Sequence, residues 1–166
     1  DYMKIFKYSI RAVLKNKLKI VFILKSLKNR DEELNFYKKY LNSNEIEILM
    51  NNILEVDREN YKSYIAIEKS KVAIAFHSTM LLEKLALNGK ILACNFTDED
   101  VFHFPVNCLF RLVRPSYEDF ESRLLKILEF EDEKYLKNIK EKLISNHQEF
   151  THKIINDKIK NLLNES

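Results

Sequence analysis

The stretch that decides the fold runs from Lys71 to Phe96 and reads KVAIAFHSTMLLEKLALNGKILACNF. Two short apolar runs, 71–76 and 91–96, flank a segment with helical periodicity from Met80 to Leu87. This pattern predicts a strand, a turn, a helix and a second strand, with His77-Ser78-Thr79 as the turn. A strand–helix–strand unit of this kind pairs its two strands in parallel through a right-handed crossover.

Outside this unit, hydrophobic periodicity and helix-start signals predict the remaining elements. Further strands are predicted at 20–24 and 46–50, with a short edge strand at 107–113. Helices are predicted at 2–16, from Asp31 onward, and at 61–69, 117–130, 131–146 and 149–164. Alternating strands and helices indicate a parallel sheet, and continuously apolar strands indicate that helices cover both faces. The predicted fold class is α/β, a Rossmann-like parallel sheet with helices on both faces and a C-terminal helical tail.

The single glycine of the chain, Gly89, comes shortly after the predicted helix of this unit. We expect it to take the left-handed conformation that ends many helices. A length of 166 residues fits one α/β domain. We divide it into a leading helix at 1–18 that can lie between domains, an α/β ligand-binding domain at 19–130, and C-terminal helices at 131–166. These last helices would pack on that domain or on an N-terminal domain outside this chain.

Composition limits the classes of function. The net charge of +3 comes from 28 basic and 25 acidic residues, and this near balance predicts no nucleic-acid partner. No apolar run approaches the roughly 20 residues that span a bilayer, and no secretory leader is recognisable. The two cysteines, Cys94 and Cys108, lack metal-ligand spacing. We therefore expect reduced thiols and a cytoplasmic location.

Polar residues follow each of the four predicted buried strands. These are Lys25-Ser26, Asn51-Asn52, His77-Ser78-Thr79 and Thr97-Asp98. Because ligands of open α/β sheets bind outside the carboxyl ends of the strands, we expect these groups to converge on one edge. Asn51, Asn52, Thr97 and Asp98 are candidates for contacts with the base or the sugar of a nucleotide ligand, and no metal site is predicted.

The turn at His77-Ser78-Thr79 gives the sharpest chemical prediction. Ser78 is a suitable N-cap, and a helix N-terminus presents free N–H groups and a partial positive charge that suit a phosphate. Glu83 lies one helical turn beyond Thr79, where its carboxylate can accept two hydrogen bonds from a ribose diol.

Each candidate also has a purely structural interpretation. Ser78 and Thr79 can be a helix cap alone, and Glu83 can pair with Lys84 or Lys90. The asparagines can be turn residues, and the acidic run at 98–100 can be a solvated loop. His103, which lies between Phe102 and Phe104, can serve packing only.

The segment 71–92 resembles the donor-binding segment of GT-B glycosyltransferases, in particular bacterial enzymes of surface and capsular polysaccharide biosynthesis. In that family a buried strand, a Ser/Thr-rich turn, a helix carrying Glu-x-Leu-Ala, a Gly and another strand follow one another. The resemblance implies that this chain is one half of a GT-B fold and binds a nucleotide-sugar as substrate, with no cofactor. It implies that Ser78 and Thr79, with His77 and Lys25, contact the donor phosphates, and that Glu83 contacts the ribose.

The resemblance also implies a longer protein with an N-terminal domain that binds the glycan acceptor. It assigns no catalytic residue, because many retaining members carry an acidic residue eight positions before the ribose Glu, where this chain has Ala75. It leaves open a peripheral association of the full-length protein with the inner face of a membrane. Two alternatives remain: a sugar-nucleotide epimerase or hydrolase of the same fold, and a non-catalytic interaction module.

Overall fold

The computed structural model describes residues 2–24, 30–54, 62–104, 109–135 and 137. Over these residues the chain is an α/β protein with a three-stranded parallel sheet. Its elements are α1 (Tyr2–Asn16), α2 (Arg30–Lys38), α3 (Ser43–Asn51), α4 (Lys62–Lys69), β1 (Val72–Ala75), α5 (Thr79–Ala86), β2 (Lys90–Asn95), a 3-10 helix (Asp100–Phe102), β3 (Arg111–Val113) and α6 (Tyr117–Glu129). Residues 132–135 are also helical. The α/β class predicted from the sequence is confirmed.

The sheet is open, with strand order β1-β2-β3 and parallel pairing throughout. Ile74 lies opposite Leu92, and Cys94 lies opposite Leu112. All six residues of β2 are buried, although successive side chains of a strand point to opposite faces. Both faces of β2 are therefore covered, as predicted, and α5 and α6 both contact this strand. Burial also raises the pKa of the Cys94 thiol, which is free; Cys108 lies outside the described residues.

Two predicted strands are not strands. Residues 46–50 lie in α3, which begins with a capping box: the Asn42 side chain accepts the Glu45 N–H, and the Glu45 carboxylate accepts the Asn42 N–H. The apolar residues of this segment follow helical spacing, and Leu49 is buried. Residues 20–24 contribute one isolated parallel bridge, from Phe22 to Ile53. The predicted sheet of four buried strands and an edge strand is therefore a three-stranded sheet in the described part of the chain.

Helix α1 joins two hydrophobic clusters. Ile5 and Ala12 belong to the cluster around the sheet and α6, whereas Met3 and Ile10 belong to a second cluster with α2 and α3. Phe6 packs against both clusters. The leading helix is thus part of the core, and the division of the chain at residue 18 remains a prediction.

The first turn of the predicted C-terminal helices contacts the first two residues of β2. The Tyr135 hydroxyl accepts a hydrogen bond from the Ile91 N–H at 2.9 Å and donates to the Ile91 carbonyl at 3.2 Å. Lys90 donates to the Phe130 carbonyl and forms an ion pair with Asp132 at 2.6 Å. Most of the predicted helix at 131–146 and all of the one at 149–164 lie outside the described residues. Among the helices that are described, none combines the length and apolar character needed to cross a membrane.

Candidate functional site

The turn after β1 is built around Ser78, which caps α5. Its backbone is extended, with φ −152° and ψ 133°, and its Oγ accepts the Met80 N–H at 3.2 Å. The Ser78 carbonyl accepts the Leu81 N–H at 3.2 Å. The predicted N-cap is confirmed, and it occupies two amides of the first turn. Thr79 is the first residue of α5 and is exposed.

At the C-terminal end of α5, the prediction that Gly89 takes the left-handed conformation is wrong. Asn88, with φ 58°, is the left-handed residue, and Gly89 does not have a positive φ. The Asn88 N–H bonds to the Leu85 carbonyl and the Gly89 N–H to the Lys84 carbonyl, which is the Schellman pattern. Gly89 is required for another reason: a Cβ at this position would lie 2.1 Å from Lys84 Cε.

Lys84 fastens α5 to the preceding helix. Its side chain is 3% exposed, and Nζ donates to the carbonyls of Ile67, Glu68 and Ser70 at 2.7, 3.0 and 2.6 Å. These carbonyls end α4, where helical carbonyls lack partners and a cation is favourable. Burial lowers the pKa of the Lys84 ammonium, and the nearby Glu68 and Asp132 carboxylates oppose this shift.

Glu83 stands one turn beyond Thr79, as predicted, and is half-buried. Its Oε2 atom is buried and has no hydrogen-bond partner in the described part of the chain. The lysines considered as its partners are engaged elsewhere, Lys84 with the end of α4 and Lys90 with Phe130 and Asp132. A buried polar atom without a partner costs stability, which makes the Glu83 carboxylate a candidate acceptor for a ligand donor.

His77 is exposed and lies edge-on to Phe102, with ring centroids 5.7 Å apart. Phe102 also packs against Phe76 at 5.3 Å. The 3-10 helix therefore lies beside the turn that follows β1. His77 is at the predicted edge and makes a packing contact there.

The loop after β2 lies at the same edge and is closed by its own hydrogen bonds. The buried Asn95 side chain accepts the Thr97 N–H and hydroxyl, both at 2.8 Å, and donates to the Glu99 carbonyl at 2.9 Å. The Asp98 carboxylate accepts a hydrogen bond from the Arg114 guanidinium. The backbone N–H of Arg114 donates to the Asn95 carbonyl at 2.6 Å. Thr97 and Asp98 thus lie after β2, as predicted: Thr97 orders the loop, and the Asp98–Arg114 contact joins the end of β2 to the end of β3.

Arg114 is a residue of this edge that sequence reasoning missed. It directly follows β3, has a positive φ of 45°, and is exposed. The signal was available, because a basic residue comes straight after the predicted edge strand at 107–113. A cation at the carboxyl edge of a parallel sheet suits an anionic ligand.

The remaining candidates do not join this edge. Asn51 is the last residue of α3 and Asn52 its C-cap, with Nδ2 donating to the Ile48 carbonyl at 2.8 Å. They come before the bridge residue Ile53, so the prediction that they follow a strand is wrong. Lys25 lies outside the described residues.

The acidic run after β2 is exposed at Asp98, Glu99 and Asp100. Asp100 pairs with His103 Nδ1 at 3.2 Å. The described residues contain no group of three His, Cys, Asp or Glu side chains placed to hold a metal ion.

A cavity of about 700 Å³ lies between α1 and the start of α3. Its lining includes Lys7, Arg11 and Leu14 of α1 and Asn44 and Glu45 of α3. None of the predicted site residues lines it.

No protein-family model, curated protein or solved structure matches this chain. The function is therefore inferred from the residues of the site.

Proposed function

We propose that this chain is the donor-binding domain of a glycosyltransferase that moves a sugar from a nucleotide-activated donor to a bacterial surface glycan. The observation that carries the proposal is the geometry of the 71–96 unit. Ser78 and Thr79 stand at the N-terminus of α5, at the carboxyl end of β1, with Glu83 one turn further along. A phosphate at the helix tip and a ribose diol at Glu83 fit this spacing.

The chemical part of the domain in this proposal is electrostatic. The positive end of α5 and the exposed Thr79 hydroxyl stabilise negative charge on the leaving nucleotide as the bond to the sugar breaks. Arg114, which follows β3, lies at the same edge, where its charge is offset by the Asp98 carboxylate. The acceptor and the catalytic base belong to the longer protein on the cytoplasmic side of a membrane.

Isothermal titration calorimetry with nucleoside mono- and diphosphates tests the site. We expect Ser78→Ala with Thr79→Ala to weaken binding at least tenfold, because two hydroxyls next to the phosphate are lost. Loss of the cap also destabilises α5 by about 1 kcal/mol. Ser116→Ala is the control, since the Ser116 side chain also caps a helix, α6, which is not part of the proposed site. Unchanged binding in the double variant would show that the phosphate site is wrong.

Ser78→Asp separates folding from binding more sharply. Aspartate is a good N-cap, so α5 keeps its first turn, but a second negative charge beside the phosphate opposes binding. We expect a folded protein, by circular dichroism, that binds no nucleotide. If this variant binds as the unchanged protein does, the phosphate lies elsewhere.

One observation favours a second candidate, a non-catalytic interaction module. Several polar groups of the edge already satisfy one another: Ser78 with Met80, Thr97 with Asn95, and Asp98 with Arg114. A module of this kind would bind no nucleotide in the titration and would form dimers or hetero-complexes in solution. The titration therefore separates the two candidates.

A further inference from the structure

The charges of the chain are strongly segregated along the sequence. Residues 2–30 contain nine Lys and Arg residues and no Asp or Glu, so this segment carries +9. The rest of the chain has 19 basic and 25 acidic residues and carries −6. The small net charge of +3 conceals this division. Segregation of this size indicates a surface that binds a polyanion.

The structure shows where part of this charge lies. In α1 the basic residues Lys4, Lys7, Arg11 and Lys15 are exposed, while Ile10 and its neighbours on the other face are buried. The chain then alternates: Lys17, Lys19 and Val21 are exposed, whereas Leu18, Ile20 and Phe22 are half-buried or buried. We call Lys7, Arg11, Leu14, Lys15, Lys17, Lys19 and Val21 the basic surface.

Part of the basic surface is bound to the protein itself. Lys15 pairs with Glu121 at 2.6 Å, and the Arg11 guanidinium lies 3.7 Å from the centre of the Tyr117 ring. Lys7, Lys17 and Lys19 have no ion-pair partner in the described part of the chain. Within the described part of the chain, these three ammonium groups can therefore reach an external anion without breaking an ion pair.

Two exposed aliphatic side chains lie in the same stretch of sequence as these cations. Leu14 and Val21 are each 55% exposed, and Leu14 lines the cavity together with Lys7 and Arg11. Water-exposed aliphatic groups between lysines suit an interface where acyl chains lie beneath charged headgroups. Nucleic acid fits less well, because its single strands are held by exposed aromatic rings. The ring of Tyr8, the aromatic residue of this cavity, packs against Phe96, Tyr117 and Phe120 instead.

We propose that the basic surface docks this protein on a bilayer that contains anionic lipids. The lysines attract the headgroups, and Leu14 and Val21 enter the interfacial region. This assignment does not depend on the nucleotide site, since the residues and the ligand are different.

Vesicle co-sedimentation of the whole chain tests the proposal. One set of vesicles is phosphatidylcholine alone, and in the other phosphatidylserine replaces a third of it. We expect binding only to the anionic set, and release at high salt because screening weakens the attraction. Lys7→Gln with Lys17→Gln and Lys19→Gln should lower the partition coefficient about 100-fold, since each basic residue contributes roughly a factor of five.

The matched control replaces three exposed lysines outside the segment, Lys38→Gln with Lys39→Gln and Lys69→Gln. This variant has the same net charge, and we expect it to bind anionic vesicles nearly as the unchanged protein does. Leu14→Ser with Val21→Ser should weaken binding while leaving its salt dependence in place. Equal losses in the two lysine variants would overturn the proposal. So would an absence of vesicle binding, with or without binding of a single-stranded oligonucleotide.

Discussion

The contact between Lys84 and Gly89 shows how one side chain dictates the residue at another position. The Lys84 stem runs under Gly89 on its way to the end of α4, where its ammonium group satisfies three carbonyls. Any Cβ at position 89 would displace this stem. The side chain is flexible, but a displaced ammonium group would leave those carbonyls with fewer partners.

Gly89→Ala should therefore lower the free energy of unfolding by about 2 kcal/mol, the cost of disturbing hydrogen bonds to a buried charge. Chemical denaturation of four proteins measures this: the unchanged chain, Gly89→Ala, Lys84→Ala and the double variant. We expect Gly89→Ala to cost little when Lys84 is already Ala. Equal costs in both backgrounds would mean that the two positions do not interact. Asn88→Gly is the control, since position 88 holds the left-handed conformation.

The unpartnered Glu83 Oε2 atom gives a test of ribose recognition. A carboxylate can accept hydrogen bonds from both hydroxyls of a ribose, whereas an amide has one acceptor oxygen. We expect the protein to prefer a ribonucleotide over its 2′-deoxy form by roughly tenfold, and Glu83→Gln to lose most of this preference. Glu129→Gln, on the exposed face of α6, should retain it. A preference that survives in Glu83→Gln would exclude Glu83 from the ribose site.

For single residues, the sequence predicts the role of Ser78 correctly, whereas for Gly89 it predicts the wrong role. The cap at Ser78 was predictable, because its partner amide is two residues away. The role of Gly89 was not, because it depends on the path of the Lys84 side chain toward α4, which lies 14 to 17 residues earlier in the chain.

On the scale of secondary-structure elements, a charged contact joins helices α1 and α6. Glu121 accepts hydrogen bonds from Lys15 at 2.6 Å and Asn16 at 2.8 Å. The Lys15 hydrogen bond, with that from Asn16, holds the pKa of the Glu121 carboxyl below its usual value of 4.5. A carboxyl whose pKa is lower in the folded state stabilises the fold above pH 4.5, and this stability is lost as pH falls through the folded-state pKa.

Glu121→Gln should consequently be less stable than the unchanged protein at pH 7, and the difference should shrink as pH falls below 4.5. Unfolding curves measured from pH 7 to pH 3 check this. Glu118→Gln, in the same helix and exposed, should show a much smaller difference at every pH. A Glu121→Gln difference that is independent of pH would mean that the ion pair does not stabilise the α1–α6 contact.

The predicted elements are confirmed at 71–96, whereas the strands predicted at 46–50 and 20–24 are wrong. The strand, helix and strand of 71–96 are consecutive, and both strands pair with their neighbours in sequence. Residues 46–50 contain an apolar run that fits a strand or a helix, and the Asn42–Glu45 capping box decides for the helix. Residues 20–24 have the composition of a strand, but their pairing is limited to the bridge with Ile53.

On the scale of the whole molecule, the parallel sheet with its buried central strand brings the candidate site residues to one edge. β2 is buried on both faces. On one side of it, β1 leads through a short turn to Thr79 at the start of α5, and on the other side Arg114 directly follows β3. The sequence predicted convergence on one edge, and the structure places His77, Ser78, Thr79, Thr97 and Asp98 there. The prediction that Asn51 and Asn52 lie at this edge depends on a strand at 46–50, and these residues are in α3. Arg114 was overlooked because the edge strand before it was not counted among the ligand-facing ones.

The proposed binding of a nucleotide phosphate at the N-terminus of α5 has a direct test. The isotope-labelled chain is titrated with a panel of nucleoside diphosphates, and the amide NMR signals of Thr79 and Met80 are recorded. We expect at least one member to shift both signals in a saturable way, and Ser78→Asp to abolish the shift. Amide signals at 79 and 80 that do not move with any member of the panel at millimolar concentration would contradict it.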